Sequence, residues 1–428
     1  LRWKGKPDKV TLTLSAYRWL IRFLVEILEV FPPARVEKEE IELRKGFYEP
    51  LESIADSTIW IHGASLGEVI TLRPFLAKLS SAIGKKRILA SATTLDGYKQ
   101  LLADGLCGHV TLLPIEIPEI LEPFLDKMKP ALVIISETEI WPLWLATLAK
   151  RSIPYGIVNA RINEKTVRFL KLLRPLFVDA IKNLAFVFPQ DAVYANRFHS
   201  LGIPKEKIAI LGCFKYDIED SPKDEGTLRK KYGIPPGRRI ICFGSTHSGE
   251  EEMLLEALDP LWNELNATVI IAPRHMKRVA EVESIIRGRH LDFSRLSEGK
   301  KPAGHVILVD TMGELRNLYA LSSLVFVGGS LIPHGGHNLM EPAYFGVPII
   351  TGSHTSNFPT ETQALRKAQA VFEVKNVETL RSILERFTTD PAQFSDSGKR
   401  AKAVLKQLSG ATGKTLKKLR EMDRIPHA

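Results

Sequence analysis

What most constrains the fold of this chain is a repeated alternation of short β-branched runs with helical patterns, beginning at residue 58. In the first half, 58–62 (TIWIH), 87–92 (RILASA), 109–113 (HVTLL), 131–135 (ALVII), 155–158 (YGIV), 184–188 (LAFVF) and 207–211 (KIAIL) read as strands. Amphipathic stretches separate them, among them 67–83 and 164–182. Strands that alternate with helices in this way predict a parallel sheet covered on both faces. The stretch 218–237, IEDSPKDEGTLRKKYGIPPG, interrupts the pattern with charge, Pro and Gly and reads as a connector. Alternation then restarts, with strands expected at 239–243, 267–271, 305–309, 323–327, 347–350 and 371–374, followed by a helical tail from 376 onward.

At 428 residues the chain is too long for one ordinary core, and two doubly wound α/β domains in tandem are expected. The boundaries that follow are an N-terminal amphipathic segment at 1–45, a first Rossmann-like domain at 46–218, a linker at 219–237, and a second Rossmann-like domain with C-terminal helices at 238–428. In such sheets ligands sit beyond the carboxyl ends of the strands, so chemistry is expected in the cleft between the two domains.

The chain carries 59 Lys and Arg against 49 Asp and Glu, a net charge of +10, which favours an anionic partner: nucleic acid, membrane surface or phosphorylated substrate. Zinc-finger spacing, an RNA-binding aromatic signature and a long Arg-rich arm are all absent, which argues against nucleic acid. Cys107, Cys213 and Cys242 are odd in number and lie among apolar residues, so neither a disulfide framework nor a cysteine metal site is expected. The histidines show no H-E-x-x-H or comparable spacing, and no metal is expected. No run reaches the roughly 18 uncharged apolar residues of a spanning helix. The nearest is 15–31, SAYRWLIRFLVEILEVF, where Arg18, Arg22, Glu26 and Glu29 recur on one side of an otherwise apolar helix. It reads as an interfacial docking helix, or equally as a helix packed on its own domain.

Where strands hand over to helices, one spacing recurs: Ser65 with Glu68, Ser248 with Glu251, Thr311 with Glu314, Asn338 with Glu341. It fits a capping box, in which each side chain satisfies orphan backbone N–H groups of the first turn. It also places carboxylates at strand mouths, and a helix N-terminus is where an anionic ligand would bind. Spacing alone leaves both readings open. The loop within 327–352, VGGSLIPHGGHNLMEPAYFGVPIITG, is more specific, because Gly328, Gly329, Gly335 and Gly336 would let backbone approach a phosphate. His334, His337, Asn338 and Glu341 sit in the same stretch.

Taken together, HGASLGE (62–68), SETEIWP (136–142), NARI (159–162), GCFKYD (212–217), GSTHSGEEE (244–252), APRH (272–275), DTMGEL (310–315) and GGSLIPHGGHNLMEPA (328–343) resemble the Kdo transferases, the 3-deoxy-D-manno-octulosonic acid transferases of lipopolysaccharide assembly. The matches run in order from GFYEP near residue 46 to about residue 358. The resemblance implies a GT-B glycosyltransferase: an N-terminal acceptor domain, a C-terminal donor domain, and inverting, metal-independent transfer of Kdo from CMP-Kdo to a lipid A precursor, lipid IVA. It implies Glu68 as the proton acceptor, with Glu137 and Lys215 assisting the transition state and Ser65 and Arg161 at the acceptor. For the donor it implies Pro273, Arg274, Met312, Gly313, Glu314, Gly335, Gly336, Asn338, Leu339, Met340 and Glu341, with Ser245 and Thr246 lining the same pocket. No cofactor beyond the donor substrate is implied. One departure is that Cys213 and Phe214 stand where the family more often has Asn and Leu or Met. A second departure is that the N-terminus is a charged, interrupted helix rather than a clear hydrophobic anchor, so the segment 15–31 is expected to dock peripherally on the anionic, cytoplasmic face of the bacterial inner membrane. Two rival classes are a GT-B enzyme acting on another nucleotide sugar and a non-catalytic nucleotide- or nucleic-acid-binding protein.

Overall fold

A computed structural model describes residues 9–30, 38–45, 58–218, 224–298 and 305–426. The GFYEP stretch, residues 1–8, residue 31 of the amphipathic segment and residues 219–223 of the expected linker lie outside the described residues. The chain forms two compact units, one of Leu1–Asp217 with Ser409–Ala428 and one of Ile218–Leu408.

The first unit is built on a six-stranded parallel sheet of Thr58–His62 (β1), Ile88–Ala92 (β2), His109–Leu112 (β3), Pro130–Ser136 (β4), Tyr155–Ala160 (β5) and Phe186–Pro189 (β6). Their order is β3-β2-β1-β4-β5-β6. The order reverses between β1 and β4, the kind of switch point at which open α/β sheets bind ligands. Alternation along the strands sends Trp60, Leu89, Val133 and Ile135 into one core. Ile59, Ile61, Leu132 and Ile134 enter a second core. Helix Leu66–Ile83 buries Val69, Leu72, Phe75, Leu76 and Leu79, a stripe of helical period, against that second core.

Three expectations differ here. The stretch 207–211 is not a ladder strand; Ile208 makes one isolated bridge to Val187, following the Pro204 turn. The helical pattern 164–182 breaks into Glu164–Leu172 and Arg174–Lys182, because Pro175 lacks the N–H an unbroken helix needs and crowds the turn before it. The end of the chain does not belong with the second domain. Helix Ala411–Glu421 packs into the first unit, where Ala411, Leu416 and Leu419 join the core containing Phe75 and Phe214. Asp217 fastens it, accepting from Thr412 N–H and Oγ1, both at 2.6 Å, and from Gly410 N–H.

The second unit holds a seven-stranded parallel sheet of Arg239–Thr246 (β7), Ala267–Pro273 (β8), Phe293–Arg295 (β9), Val306–Leu308 (β10), Leu324–Val327 (β11), Ile349–Gly352 (β12) and Val371–Val374 (β13). The order is β13-β12-β11-β7-β8-β10-β9, with its switch between β7 and β11. Most of the stretch expected to be a linker is part of this unit: helix Glu225–Lys231 and the turn after it bury Leu228, Tyr232 and Ile234.

Helix Lys9–Val30 contains most of the amphipathic segment and is set on the first unit. Leu14 and Tyr17 pack against its core, Tyr17 Oη donates to the buried Glu116, and Arg18 and Arg22 pair with Glu119. Arg18 and Arg22 are thus engaged by the protein, while Trp19, Leu20, Phe23 and Leu24 stay exposed, Trp19 at 75%. No helix among the described residues is long and apolar enough to cross a membrane.

Candidate active site

In the first unit, β1 and β4 run in register with His62 opposite Ile135, so the residues following both strands emerge at one edge of the sheet. Ser65 caps the helix after β1, its Oγ accepting from Glu68 N–H at 3.4 Å. The carboxylate of Glu68 accepts from Ser65 Oγ at 3.2 Å and from Ala64 N–H at 3.0 Å. The reciprocal bond of a capping box is therefore displaced by one residue. All these donors belong to Glu68's own turn, and the side chain remains half-buried.

After β4, Glu137 adopts φ +58°, a left-handed conformation that a non-glycine residue holds only where its surroundings impose it. Its carboxylate accepts from Arg161 Nε at 2.5 Å. Burial pushes the Glu137 carboxyl up; Arg161 opposes this, and the charges of Glu68 and Glu139 reinforce it. Burial likewise raises Glu139, whose hydrogen bond from Trp141 Nε1 at 2.7 Å opposes the rise and whose neighbour Glu68 adds to it. Glu68, Glu137, Glu139 and Arg161 thus form one electrostatic group.

Lys215 lies in the short turn Phe214–Tyr216, which is anchored from three sides. Phe214 N–H donates to Asn159 Oδ1 at 3.1 Å, and Asn159 itself sits at φ +49° at the end of β5. The Phe214 ring is buried and stacks on Phe75 at 5.3 Å, so the departure at 214 fills an aromatic slot. Asp217 completes the anchoring through Thr412.

In the second unit, the expected donor residues gather at the carboxyl ends of the neighbouring strands β11, β7, β8 and β10. Ser245, at φ +56°, and Thr246 are buried at the end of β7, and Arg274 N–H donates to Thr246 O at 3.0 Å. Gly328 is required where β11 ends, since a Cβ there would lie 2.3 Å from Ser245 O. Gly335 and Gly336 take φ of +94° and +75°, and Gly336 N–H donates to Gly329 O at 2.7 Å. Asn338 accepts from Met340 N–H at 3.1 Å and donates to Glu341 Oε1 at 3.2 Å. Met312 is exposed beside Gly313, at φ +83°.

Two details refine the sequence reading. Leu339 and Met340 are buried in the core, so their side chains are not open to a ligand. Glu314 is engaged by Lys231 Nζ at 2.6 Å, by Tyr232 Oη and by Asn317; burial opposes, but these bonds hold its carboxyl below the ordinary range. Of the four corners with the recurrent spacing, only Ser65–Glu68 caps its helix as expected. The helix after β7 is capped by Gly249, while Ser248 turns away to Glu281 and Glu251 pairs with Arg278.

Sequence reasoning passed over several residues that shape the two sites. Asn159 and Asp217 act through partners far along the chain, and Glu250 is wholly buried, accepting N–H bonds from His247, Gly329, Ser330 and Leu331 at 2.7 to 3.0 Å. The signal for Glu250 was its place in GSTHSGEEE, although that motif does not say which Glu turns inward. Among the described residues no group of three or more His, Cys, Asp or Glu is arranged to hold a metal ion.

Residues 39–218 match a family profile described as 3-deoxy-D-manno-octulosonic-acid transferase (kdotransferase). The chain is 32% identical to the 3-deoxy-D-manno-octulosonic acid transferase of Haemophilus influenzae, over 93% of this chain and 94% of that protein. It is 28% identical to the protein of the same name from Bordetella pertussis, over 92% of each. Among solved structures it is similar to a UDP-GlcNAc 2-epimerase from Neisseria meningitidis bound to UDP-GlcNAc, at TM-score 0.58 and 15% identity, covering 85% of this chain and 100% of that one. A glycosyltransferase from Rickettsia africae gives TM-score 0.54 at 15% identity, covering 87% of this chain and 100% of that one. At such identities the likeness concerns the fold alone, which is GT-B.

Proposed function

Because the chain belongs to the Kdo transferase family and is a glycosyltransferase, we propose that it moves Kdo from CMP-Kdo to a hydroxyl of lipid IVA in lipopolysaccharide synthesis. Transfer inverts the anomeric carbon and uses no metal. The observation that carries this reading is the position of Glu68: a half-buried carboxylate at the switch point of the first sheet, bonded, among the described residues, to its own turn. Glu68 takes the proton of the acceptor hydroxyl as that oxygen bonds to the anomeric carbon. The bond from that carbon to the phosphate oxygen breaks, and CMP leaves with the electron pair. A positioned base of this kind contributes about 10² to 10⁴ in rate.

Glu137 and Lys215 assist the transition state. Glu137, paired with Arg161, places negative charge near the positive charge that develops on the sugar ring, while Arg161 and Ser65 orient the acceptor. Lys215 stabilises the departing phosphate or the sugar's own carboxylate. In the second unit, Arg274 offers a planar fork of donors to phosphate, with Pro273 beside it. Met312, Gly313 and Glu314 border the nucleotide, and the loop at Gly335 and Gly336 faces its phosphate, with the Gly336 N–H held by Gly329 O. Asn338 to Glu341 hold the ribose, and Ser245 and Thr246 line the floor.

The acceptor is a multi-acylated lipid that stays in its bilayer, so the enzyme works at the cytoplasmic face of the inner membrane. The exposed Trp19, Leu20, Phe23 and Leu24 support peripheral docking there, since a helix held on the protein by one side and apolar on its exposed side suits a membrane interface. Incubation with CMP-Kdo and lipid IVA tests the proposal. CMP release with a glycolipid heavier by one or more Kdo units is expected; neither product would refute it.

A further inference from the structure

In the second unit four imidazoles converge where β7, β8 and β11 end. His247 follows β7, His275 follows β8, and His334 and His337 lie in the loop after β11. His247 is buried, and its Nε2 lies 2.8 Å from Nε2 of His337. Its ring centroid is 3.9 Å from that of His334, 5.0 Å from His337 and 5.7 Å from His275. Arg274 adds a guanidinium whose charge acts on His337. The His247 and His337 rings lie within 8° of parallel with Nε2 facing Nε2 at hydrogen-bond distance, one ring donating to the other, so the two nitrogens are spent on each other and this is not the geometry of a chelate.

The cluster is held by buried carboxylates rather than by loop chance. Glu250 ties the His247 N–H to those of Gly329, Ser330 and Leu331, joining the corner after β7 to the loop after β11. Glu251, also wholly buried, accepts Arg278 in a two-pronged pair at 2.8 and 3.0 Å, and so fixes the turn just beyond His275. Gly329, at φ +68°, leaves room for the rings, because a Cβ there would meet both His337 and His247 within 3.4 Å.

We infer that His247, His275, His334 and His337, with Arg274, form an anion-binding site that takes an oxyanion of an acidic nucleotide sugar, either its phosphate or its sugar carboxylate. This rests on the donor assignment above and adds four residues to it. Without ligand, burial pushes His247 down to about 4, with His334, His337, His275 and Arg278 acting in the same direction. Burial, then Arg274, His334 and His275, brings His337 to about 4 as well. Besides these groups, the carboxyl of Glu250 lies beside His247, and the charge of Arg278 is answered by Glu251 and Glu281. An arriving anion reverses the balance and makes the protonated imidazole favourable, so binding draws a proton from solvent and weakens as pH rises.

Titration calorimetry of the full chain with CMP-Kdo, in buffers of different ionisation enthalpy, counts that proton. The donor's phosphodiester and carboxylate are both ionised throughout the neutral range, so any proton taken up resides on the protein. Uptake of roughly half to one proton is expected, with affinity falling up to about tenfold per pH unit between about pH 6 and 8. His247→Gln and His337→Gln lose the uptake and bind CMP-Kdo about tenfold more weakly, with cytidine binding unchanged as proof of an intact fold. The methyl ester of CMP, a phosphodiester without the sugar acid, separates the sources. Uptake with CMP-Kdo alone assigns the carboxylate and uptake with both ligands assigns the phosphate, and either supports the site. CMP-Kdo binding without uptake, unaffected by the two variants, overturns it. Absence of CMP-Kdo binding in every protein overturns the donor assignment itself.

Discussion

The corners after β1 and β7 are counterparts: each follows the strand at its sheet's switch point, and each carries Ser and Glu three residues apart at 65/68 and 248/251. Their carboxylates meet opposite fates. Among the described residues Glu68 is bonded to Ala64 and Ser65 of its own turn, and it stays half-buried. Glu250 and Glu251 are wholly buried and bonded to residues far along the chain, the loop 329–331 and Arg278. The difference teaches that spacing does not decide whether such a carboxylate is structural. What decides it is whether the rest of the fold supplies donors: where none arrive among the described residues, as at Glu68, the carboxylate stays half-buried and, on the proposed reading, serves the substrate.

The comparison can be broken most forcefully at Glu250. Glu250→Ala leaves four buried N–H groups without an acceptor, at about 1–3 kcal/mol each, a sum comparable with the whole stability of a domain. Thermal unfolding should show the second unit lost or melting far below wild type. A wild-type midpoint would mean that the buried corner is not structural after all. The exposed helix gives the next effect. The pair Trp19→Ser and Phe23→Ser removes two large apolar side chains that the protein leaves in solvent, each worth roughly 2 kcal/mol on burial. Co-sedimentation with anionic vesicles should drop by more than tenfold while the unfolding midpoint holds; undiminished binding would exclude this helix as the docking element.

The smallest effect is a pH slope. His62, wholly buried beneath the corner after β1, is lowered by burial to about 3, with Ser91 opposing. Below about pH 6.5 the unfolded chain binds a proton at this position that the folded chain refuses until about pH 3. Stability is therefore fullest above the ordinary imidazole value and falls as pH drops through that window, by up to roughly 1.4 kcal/mol per unit. Denaturant midpoints of His62→Gln between about pH 6 and pH 4 should lose that share of the slope. An unchanged slope would show that His62 is protonated in place.

Most strands were legible because parallel strands buried on both faces are short continuous apolar runs. β9 was not, since three residues, Phe293–Arg295, are too few to show a period. The break at Leu173 was readable in principle from Pro175, but the apolar pattern running through it carried more weight. The return of helix Ala411–Glu421 to the first unit depends on Asp217 meeting Thr412, a pairing with no local signature. The same holds for the sites. Ser65 and Glu68 share one turn and could be read together, whereas the four histidines come from three strand ends and meet only once β7, β8 and β11 are neighbours.

The central claim, that the corner after β1 is kept for chemistry and its counterpart after β7 for structure, is tested most directly by Glu68→Gln. Gln keeps the shape and an acceptor for Ala64 N–H but cannot take a proton. Measured by mass spectrometry of glycolipid formed from CMP-Kdo and lipid IVA, turnover should fall by about 10² to 10⁴, with CMP affinity and the unfolding midpoint at wild-type values. Wild-type turnover, or a loss of activity that merely follows a loss of fold, would contradict it.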